Sequence, residues 1–348
     1  MAQLALAPDQ KTLISGAIGA VIAWDTEVEN VIPAVIHLES MIGQSWSFTQ
    51  GGEALVGVEP DGVVRRTGKT FENRTLLIGK DELFQEPKYN FSENGEFLAV
   101  GSNEGSMMLF NLENGQSYQR KVGLGRVRVV LVQNDGTVVL MVPHQGFNEL
   151  YSLETHDLIR SKVLKKTILR DGMQAFASES QDGKLFVQTN GSSDLGALVL
   201  NREKGEEYSK LITDLYVWTR ACFSPDGTLL AMRSHAQRIQ GAVHIYDTAT
   251  LNEKTVFASL VPTSSWSLLA FSADSRRFVA GGDDRGIQLW DVETGQPVIS
   301  LEVDLTGKSY AAFSPDGEWL GCSTSNGLHL WRAATKEEIE EARTLAIK

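Results

Sequence analysis

The sequence predicts an all-β fold made of one small antiparallel sheet repeated around a ring. Three observations carry that expectation. A turn heptad recurs along the chain, an aromatic–polar pair recurs after most copies, and the composition suits short strands joined by tight turns. The chain has 348 residues, 42% hydrophobic and 22% charged, with 32 Gly and only 9 Pro. Such a chain builds a core, and its glycines supply turns.

The heptad is clearest as "FSPDGTL" (223–229), "FSPDGEW" (313–319) and "FSADSRR" (271–277). Looser copies are "FSENGEF" (91–97), "VQNDGTV" (132–138), "ESQDGKL" (179–185), "FTQGGEA" (48–54) and "LAPDQKT" (6–12). Their fourth residues are Asp9, Gly51, Asn94, Asp135, Asp182, Asp226, Asp274 and Asp316, spaced 41 to 48 residues apart. Each anchor closes an apolar strand and opens a tight turn of Asp/Asn-Gly chemistry.

A second strand and a Gly-bearing turn follow each anchor. A third strand then ends in an aromatic and a polar residue: Trp24-Asp25, Phe110-Asn111, Tyr246-Asp247, Trp290-Asp291 and Trp331-Arg332. Tyr151-Ser152 reads as a looser copy, and Arg66 and Leu200 hold the place in two degenerate repeats. A further turn, as in "ENG" (113–115) or "ETG" (293–295), leads to a fourth strand.

Four short strands per period form a sheet with two apolar faces that it cannot cover alone. Stacking such sheets face to face in a ring covers them, which is a β-propeller. The whole chain, 1–348, reads as one such domain. Eight strand sets favour eight blades, with seven as the alternative. No strand precedes Gln3, so the last blade is expected to use 336–348 or to remain three-stranded. The tail 335–348 is expected to be a short helix, since Thr335 and Glu338 have capping-box spacing.

The repeat resembles the WD-repeat β-propeller family, named for a Trp-Asp pair such as 290–291 or 24–25. The resemblance covers essentially the whole chain and is strongest over 221–335. It implies structural roles for Trp24, Asp25, Phe110, Tyr246, Asp247, Trp290, Asp291 and Trp331. The Gly-His dipeptide that often precedes the family's first strand is absent. The ending "LHLWRAATKEEIEEA" (328–342) resembles that of many bacterial WD-repeat proteins, some fused to protein kinases. No kinase motif occurs in this chain.

Composition narrows function. The formal net charge of −12 argues against general binding to nucleic acid or anionic membrane. Cys222 and Cys322 are the only cysteines, and their apolar settings read as free buried thiols. No signal-peptide pattern or membrane-length run appears, so a cytoplasmic monomer without cofactor is the expectation. "GVVRRTGKT" (62–70) has the wrong spacing and no helix for a phosphate loop. No Gly-x-Ser-x-Gly elbow occurs, and the six histidines lack metal-ligand spacing. Asn73-Arg74-Thr75 and Asn190-Gly191-Ser192 are sequons only on paper. The recurrent Asp135, Asp182, Asp226 and Asp316 read as turn formers rather than a ring of carboxylates.

These exclusions leave a non-enzymatic interaction scaffold as the favoured function. Its alternatives are a sensor or docking part of a larger bacterial signalling system, or a propeller enzyme with an active site at the channel mouth. Trp46, Trp218 and Trp266 fall at or just before first strands, on the rim made by the loops between second and third strands. They are candidate peptide anchors, set against a role in inter-blade packing. His144 and Phe147 (loop 143–149) and Arg238 (loop 235–241) share that rim. The basic stretch between 120 and 170, with Arg126, Arg128, Lys165, Lys166 and Arg170, is a candidate anion patch or else a solvated sheet edge. No metal site is expected.

Overall fold

The computed structural model describes residues 3–6, 12–17, 20–25, 35–39, 46–49, 51–84, 88–123, 127–143, 151–169, 177–189, 197–201, 208–211, 217–235, 242–258, 269–283, 286–303, 305 and 309–333. Near the start, β1 (Gln3–Leu6), β2 (Thr12–Ala17) and β3 (Ala20–Asp25) form a three-stranded antiparallel sheet, and β4 (Val35–Leu38) follows. Blade 1 is β5 (Trp46–Phe48), β6 (Ala54–Glu59), β7 (Gly62–Thr67) and β8 (Asn73–Gly79). Blade 2 is β9 (Lys88–Phe91), β10 (Phe97–Gly101), β11 (Ser106–Asn111) and β12 (Ser117–Lys121). Blade 3 is β13 (Arg128–Val132), β14 (Thr137–Pro143), β15 (Tyr151–Asp157) and β16 (Lys162–Leu169).

Blade 4 is β17 (Ala177–Glu179), β18 (Leu185–Thr189), β19 (Ala197–Asn201) and β20 (Tyr208–Leu211). Blade 5 is β21 (Val217–Phe223), β22 (Leu229–His235), β23 (Ala242–Asp247) and β24 (Glu253–Ala258). Blade 6 is β25 (Leu269–Phe271), β26 (Arg277–Asp283), β27 (Gly286–Asp291) and β28 (Pro297–Leu301). Blade 7 is β29 (Tyr310–Phe313), β30 (Trp319–Thr324) and β31 (Gly327–Arg332), completed on its outer side by β4.

The pairing of β4 decides the ring. Val35 faces Trp331 and Leu38 faces Leu328 in an antiparallel ladder. The last blade therefore takes its fourth strand from the start of the chain. This corrects the expectation that 336–348 would supply it or that the blade would stay three-stranded. The ring has seven four-stranded blades, and the first strand set stands beside it as the three-stranded sheet. That sheet places β3 against β28 with no ladder between them among the described residues. The expected tail helix, 335–348, lies outside the described residues.

Buried side chains fill the seams between blades. Val56 and Ile78 of blade 1 pack with Leu98 and Phe110 of blade 2. Met107 and Leu109 of blade 2 pack with Val138 and Leu140 of blade 3, while β13 of blade 3 lies against β17 of blade 4. Val187 and Val199 of blade 4 meet Leu230 and Tyr246 of blade 5. Phe257 of blade 5 meets Phe278 and Trp290 of blade 6. Leu289 and Leu301 of blade 6 meet Leu320 and Trp331 of blade 7. Trp319 and Leu330 of blade 7 meet Phe48 and Leu55 of blade 1. The first strands of blades 2 to 7 approach one another in turn, β9 to β13, β17, β21, β25 and β29, on the inner side of the ring.

The heptad is a self-contained turn. In blade 5, Ser224 Oγ donates to Asp226 Oδ1 at 2.6 Å, and Leu229 N donates back to Ser224 Oγ at 2.9 Å. Asp226 Oδ1 also accepts from Thr228 N at 3.0 Å, while Gly227 turns the chain at φ 72°. The same bonds recur at Ser92/Asn94, Ser180/Asp182, Ser272/Asp274 and Ser314/Asp316. Burial opposes ionisation of Asp226 and Asp182, yet bonds from the serines and backbone outweigh it and hold both below the ordinary carboxylate value. "GVVRRTGKT" forms β7 and a turn, not a phosphate loop on a helix.

Candidate functional site: the channel mouth and the basic seam

First strands run from the loop rim to the heptad rim, so Trp46, Val217 and Tyr310 stand at the loop-rim ends of β5, β21 and β29. Trp46 does not reach a partner from there. It is 2% exposed, edge-on to Phe48 and Tyr310 at 5.5 and 5.4 Å between ring centroids, in the seam of blades 7 and 1. Its reading as a surface anchor gives way to inter-blade packing. Gly321 makes room for it, since a Cβ there would come within 2.4 Å of the indole.

Trp218 lies in β21, with its side chain outside the described residues, as are Trp266, His144, Phe147 and Arg238 altogether. Midway along β21 and β22 the structure pairs two arginines that the sequence pattern did not single out. Arg220 on β21 and Arg233 on β22 are directly opposite each other. Arg233 is 4% exposed, and burial together with the charge of Arg220 brings its pKa down to about 10. Burial also lowers Arg220, whose charge is felt at Tyr310 of blade 7. Two cations in one cross-strand pair repel. Neither arginine was legible, because period-2 strand patterns do not say which polar residues are buried.

Burial pushes both cysteine thiols up to about 12, so both stay protonated near neutral pH, and neither forms a disulfide. A serine–histidine–carboxylate relay occurs in blade 5. Ser234 Oγ is 3.0 Å from His244 Nε2, and His244 Nδ1 is 2.7 Å from Glu253 Oε2. It resembles a nucleophile relay only in connectivity. Ser234 is 1% exposed and also donates to the Ala242 carbonyl, so its hydroxyl is committed inside the sheet. The relay ties β22, β23 and β24 together. No group of three or more His, Cys, Asp or Glu suited to a metal occurs among the described residues.

The third-strand aromatics are buried wedges. Phe110, Tyr246, Trp290 and Trp331 are 5–9% exposed. Trp290 stacks on Phe257 of the neighbouring blade at 5.2 Å. The residues after them cap the next turn: Asp291 Oδ1 accepts from Thr294 N at 2.8 Å, and Asp247 Oδ1 from Thr250 N at 2.9 Å. The same cap identifies the true counterpart in blade 3. Asp157 Oδ1 accepts from Arg160 N at 2.8 Å, and His156 faces Val138 as Trp290 faces Phe278. The pair is thus His156-Asp157, not Tyr151-Ser152. For Trp24 and Asp25 only the strand is described.

The basic stretch is divided. Arg126 and Arg170 lie outside the described residues, and Arg128 is placed only by its position in β13. Lys165 and Lys166 are on β16, opposite Thr155 and Glu154. Lys166 Nζ is 2.6 Å from Glu154 Oε1. Glu154 in turn holds Ser152 Oγ at 2.8 Å and His156 Nε2 at 2.9 Å. Burial raises the Glu154 carboxyl, but the bonds from Lys166, Ser152 and His156 win and keep it low.

Comparison with known proteins supports the fold. Residues 263–291 match the family described as WD domain, G-beta repeat. The chain is 31% identical over 77 residues to the small ribosomal subunit protein RACK1z of Arabidopsis thaliana, covering 22% of this chain and 23% of that protein. It is 28% identical over 97 residues to the THO complex subunit 6 homolog of Danio rerio, covering 26% and 29%. The matches therefore span less than a third of either relative. A chain in a crystal structure of the mitotic checkpoint complex superposes with a TM-score of 0.66 at 15% identity, covering 88% of this chain and 93% of that one.

Proposed function

We infer that this chain, a WD-repeat-type β-propeller, is a non-enzymatic scaffold that binds a protein or peptide partner at the loop rim of its channel. The observation that carries this is the assignment of its chemically capable residues. The heptad serine and acidic side chains fold turns, and the third-strand aromatics wedge blades. The Ser234–His244–Glu253 relay ties the strands of blade 5 together. Within blade 5, Arg220 and Arg233 stand side by side on the first two strands, below the loop rim. That charge suits an acidic segment of a partner. The similar proteins carry names of assembly components, a ribosomal subunit protein and a THO complex subunit, which supports the same reading.

The test is quantitative affinity capture with crosslinking mass spectrometry from the native cell, comparing wild type with Trp218→Ala/Trp266→Ala and with Arg220→Gln. Loss of the same partners in both folded variants is the expected result. Retention of every partner in both would place the binding surface elsewhere. A second reading rests on the ending at 328–342, whose resemblance to kinase-linked bacterial proteins suggests a docking or sensor unit, cytoplasmic and monomeric in itself. Gene context decides between the two. No helix among the described residues is long and apolar enough to cross a membrane.

A further inference from the structure

We propose that the outer seam between blades 2 and 3 is an oxyanion site that takes a phosphate monoester, held by Arg120, Lys166 and His156. The site is built from both blades. Arg120 is opposite Met107 on β12, and Met107 belongs to the core between these blades, so Arg120 faces blade 3. From blade 3, His156 is opposite Val138 and Glu154 is opposite Leu140, both in that same core, so they face blade 2. Lys166 joins them from the outermost strand, half-exposed, and marks the solvent side of the seam.

Two polar atoms in this seam point to a ligand. His156 is 1% exposed, and its Nδ1 has no hydrogen-bond partner among the described residues. Arg120 Nη1 is likewise buried without one. The two groups sense each other, because the Arg120 charge is among those that oppose protonation of His156. With Nε2–H donating to Glu154, the neutral ring leaves Nδ1 as a bare acceptor; protonation makes it a second donor, and one oxyanion then accepts from both Nδ1 and Arg120 Nη1.

Charge sets the ligand class. Arg120 and Lys166 are cations and Glu154 an anion, giving a local sum of +1 with His156 neutral and +2 with it protonated. A dianionic phosphate monoester matches the second state. His156 then donates from both nitrogens, Nε2 to Glu154 and Nδ1 to the ligand. The charged groups facing it are Glu154, Arg120 and Lys166. Tyr118 of β12 flanks the seam, and the facing positions of β14 are apolar. Burial, Arg120 and Lys166 hold the free imidazole below its ordinary pKa against the pull of Glu154. A bound dianion reverses that balance, so binding takes up a proton.

Calorimetric titration of the whole chain with sulfate, inorganic phosphate and O-phosphoserine tests this. Sulfate keeps its charge between pH 8 and 6, so its pH dependence belongs to the protein. Sulfate affinity should rise at least threefold over that range, with proton uptake seen as a buffer-dependent heat. Arg120→Gln should weaken binding at least tenfold, and His156→Gln should flatten the pH profile. Lys162→Gln, which removes an exposed charge from the same strand, should change affinity less than twofold. If His156→Gln fails to fold, Lys166→Gln replaces it and should also weaken binding tenfold. Tighter binding of O-phosphoserine than of inorganic phosphate assigns the site to a phosphorylated side chain, and equal binding assigns it to the free ion. No binding, or equal losses in Arg120→Gln and Lys162→Gln, overturns the proposal.

Discussion

Trp290 shows how one residue type serves the ring. Its indole stacks on Phe257 and closes the seam between blades 5 and 6. Trp290→Ala should therefore cost about 3–5 kcal/mol in urea unfolding. A variant as stable as wild type would remove the wedge reading. Asp226 works through its charge. Its folded pKa is depressed below the unfolded value of about 3.9, so its stabilisation is present above that pH and is lost as pH falls through the folded pKa. Asp226→Asn should be less stable than wild type from pH 7 to 5, and the gap should shrink below about pH 4. Both roles could be read from sequence because the contacts are local or repeat with the period. Trp46 could not be placed, because its neighbour Tyr310 comes from the far end of the chain.

At the scale of elements, β4 is the strand that strand counting cannot assign. It follows the first strand set in sequence, yet its ladder is with β31. Counting strands gives the number of sets, whereas closure depends on a pairing between distant segments. Ile36 and Leu38 pack against the seam of blades 7 and 1. Ile36→Asp/Leu38→Asp should destabilise the protein by on the order of 3 kcal/mol. The same ladder stacks His37 on His329, with centroids 4.4 Å apart. Burial and the nearby His37 lower the pKa of His329. An unfolded histidine titrates near about 6.5, so below that pH the unfolded chain takes up a proton that the folded chain resists. Stability should fall between pH 7.5 and 5.5, and His329→Gln should lose less over that interval. Equal losses in both proteins would mean that the stack does not sense pH. The basic stretch was legible as composition. Its division into the Glu154-centred cluster and an exposed edge was not, because strand register decides which cations face the seam.

For the whole molecule, closure changes the kind of stability available. An open stack of repeats behaves as nearest-neighbour units, and each end is free to fray. Here blade 7 holds β4 by its ladder and packs its other face on blade 1, so the described ring has no free end blade. Opening any one seam still leaves every blade held on its other side. Distant seams should then report on one transition. Trp290→Ala, between blades 5 and 6, and Leu98→Ala, between blades 1 and 2, should each shift a single unfolding transition. Their free-energy losses should add within about 0.5 kcal/mol, since the sites share no neighbours. Combining either with Ile36→Asp/Leu38→Asp should behave differently. Once β4 is displaced, the ring becomes an open stack whose blades unfold in separate steps. Calorimetry reads this directly: a van't Hoff enthalpy equal to the calorimetric one in the closed ring should fall below it in the opened one. An opened ring that still unfolds in one step would show that seam packing alone, without the β4–β31 ladder, makes the seven blades cooperative.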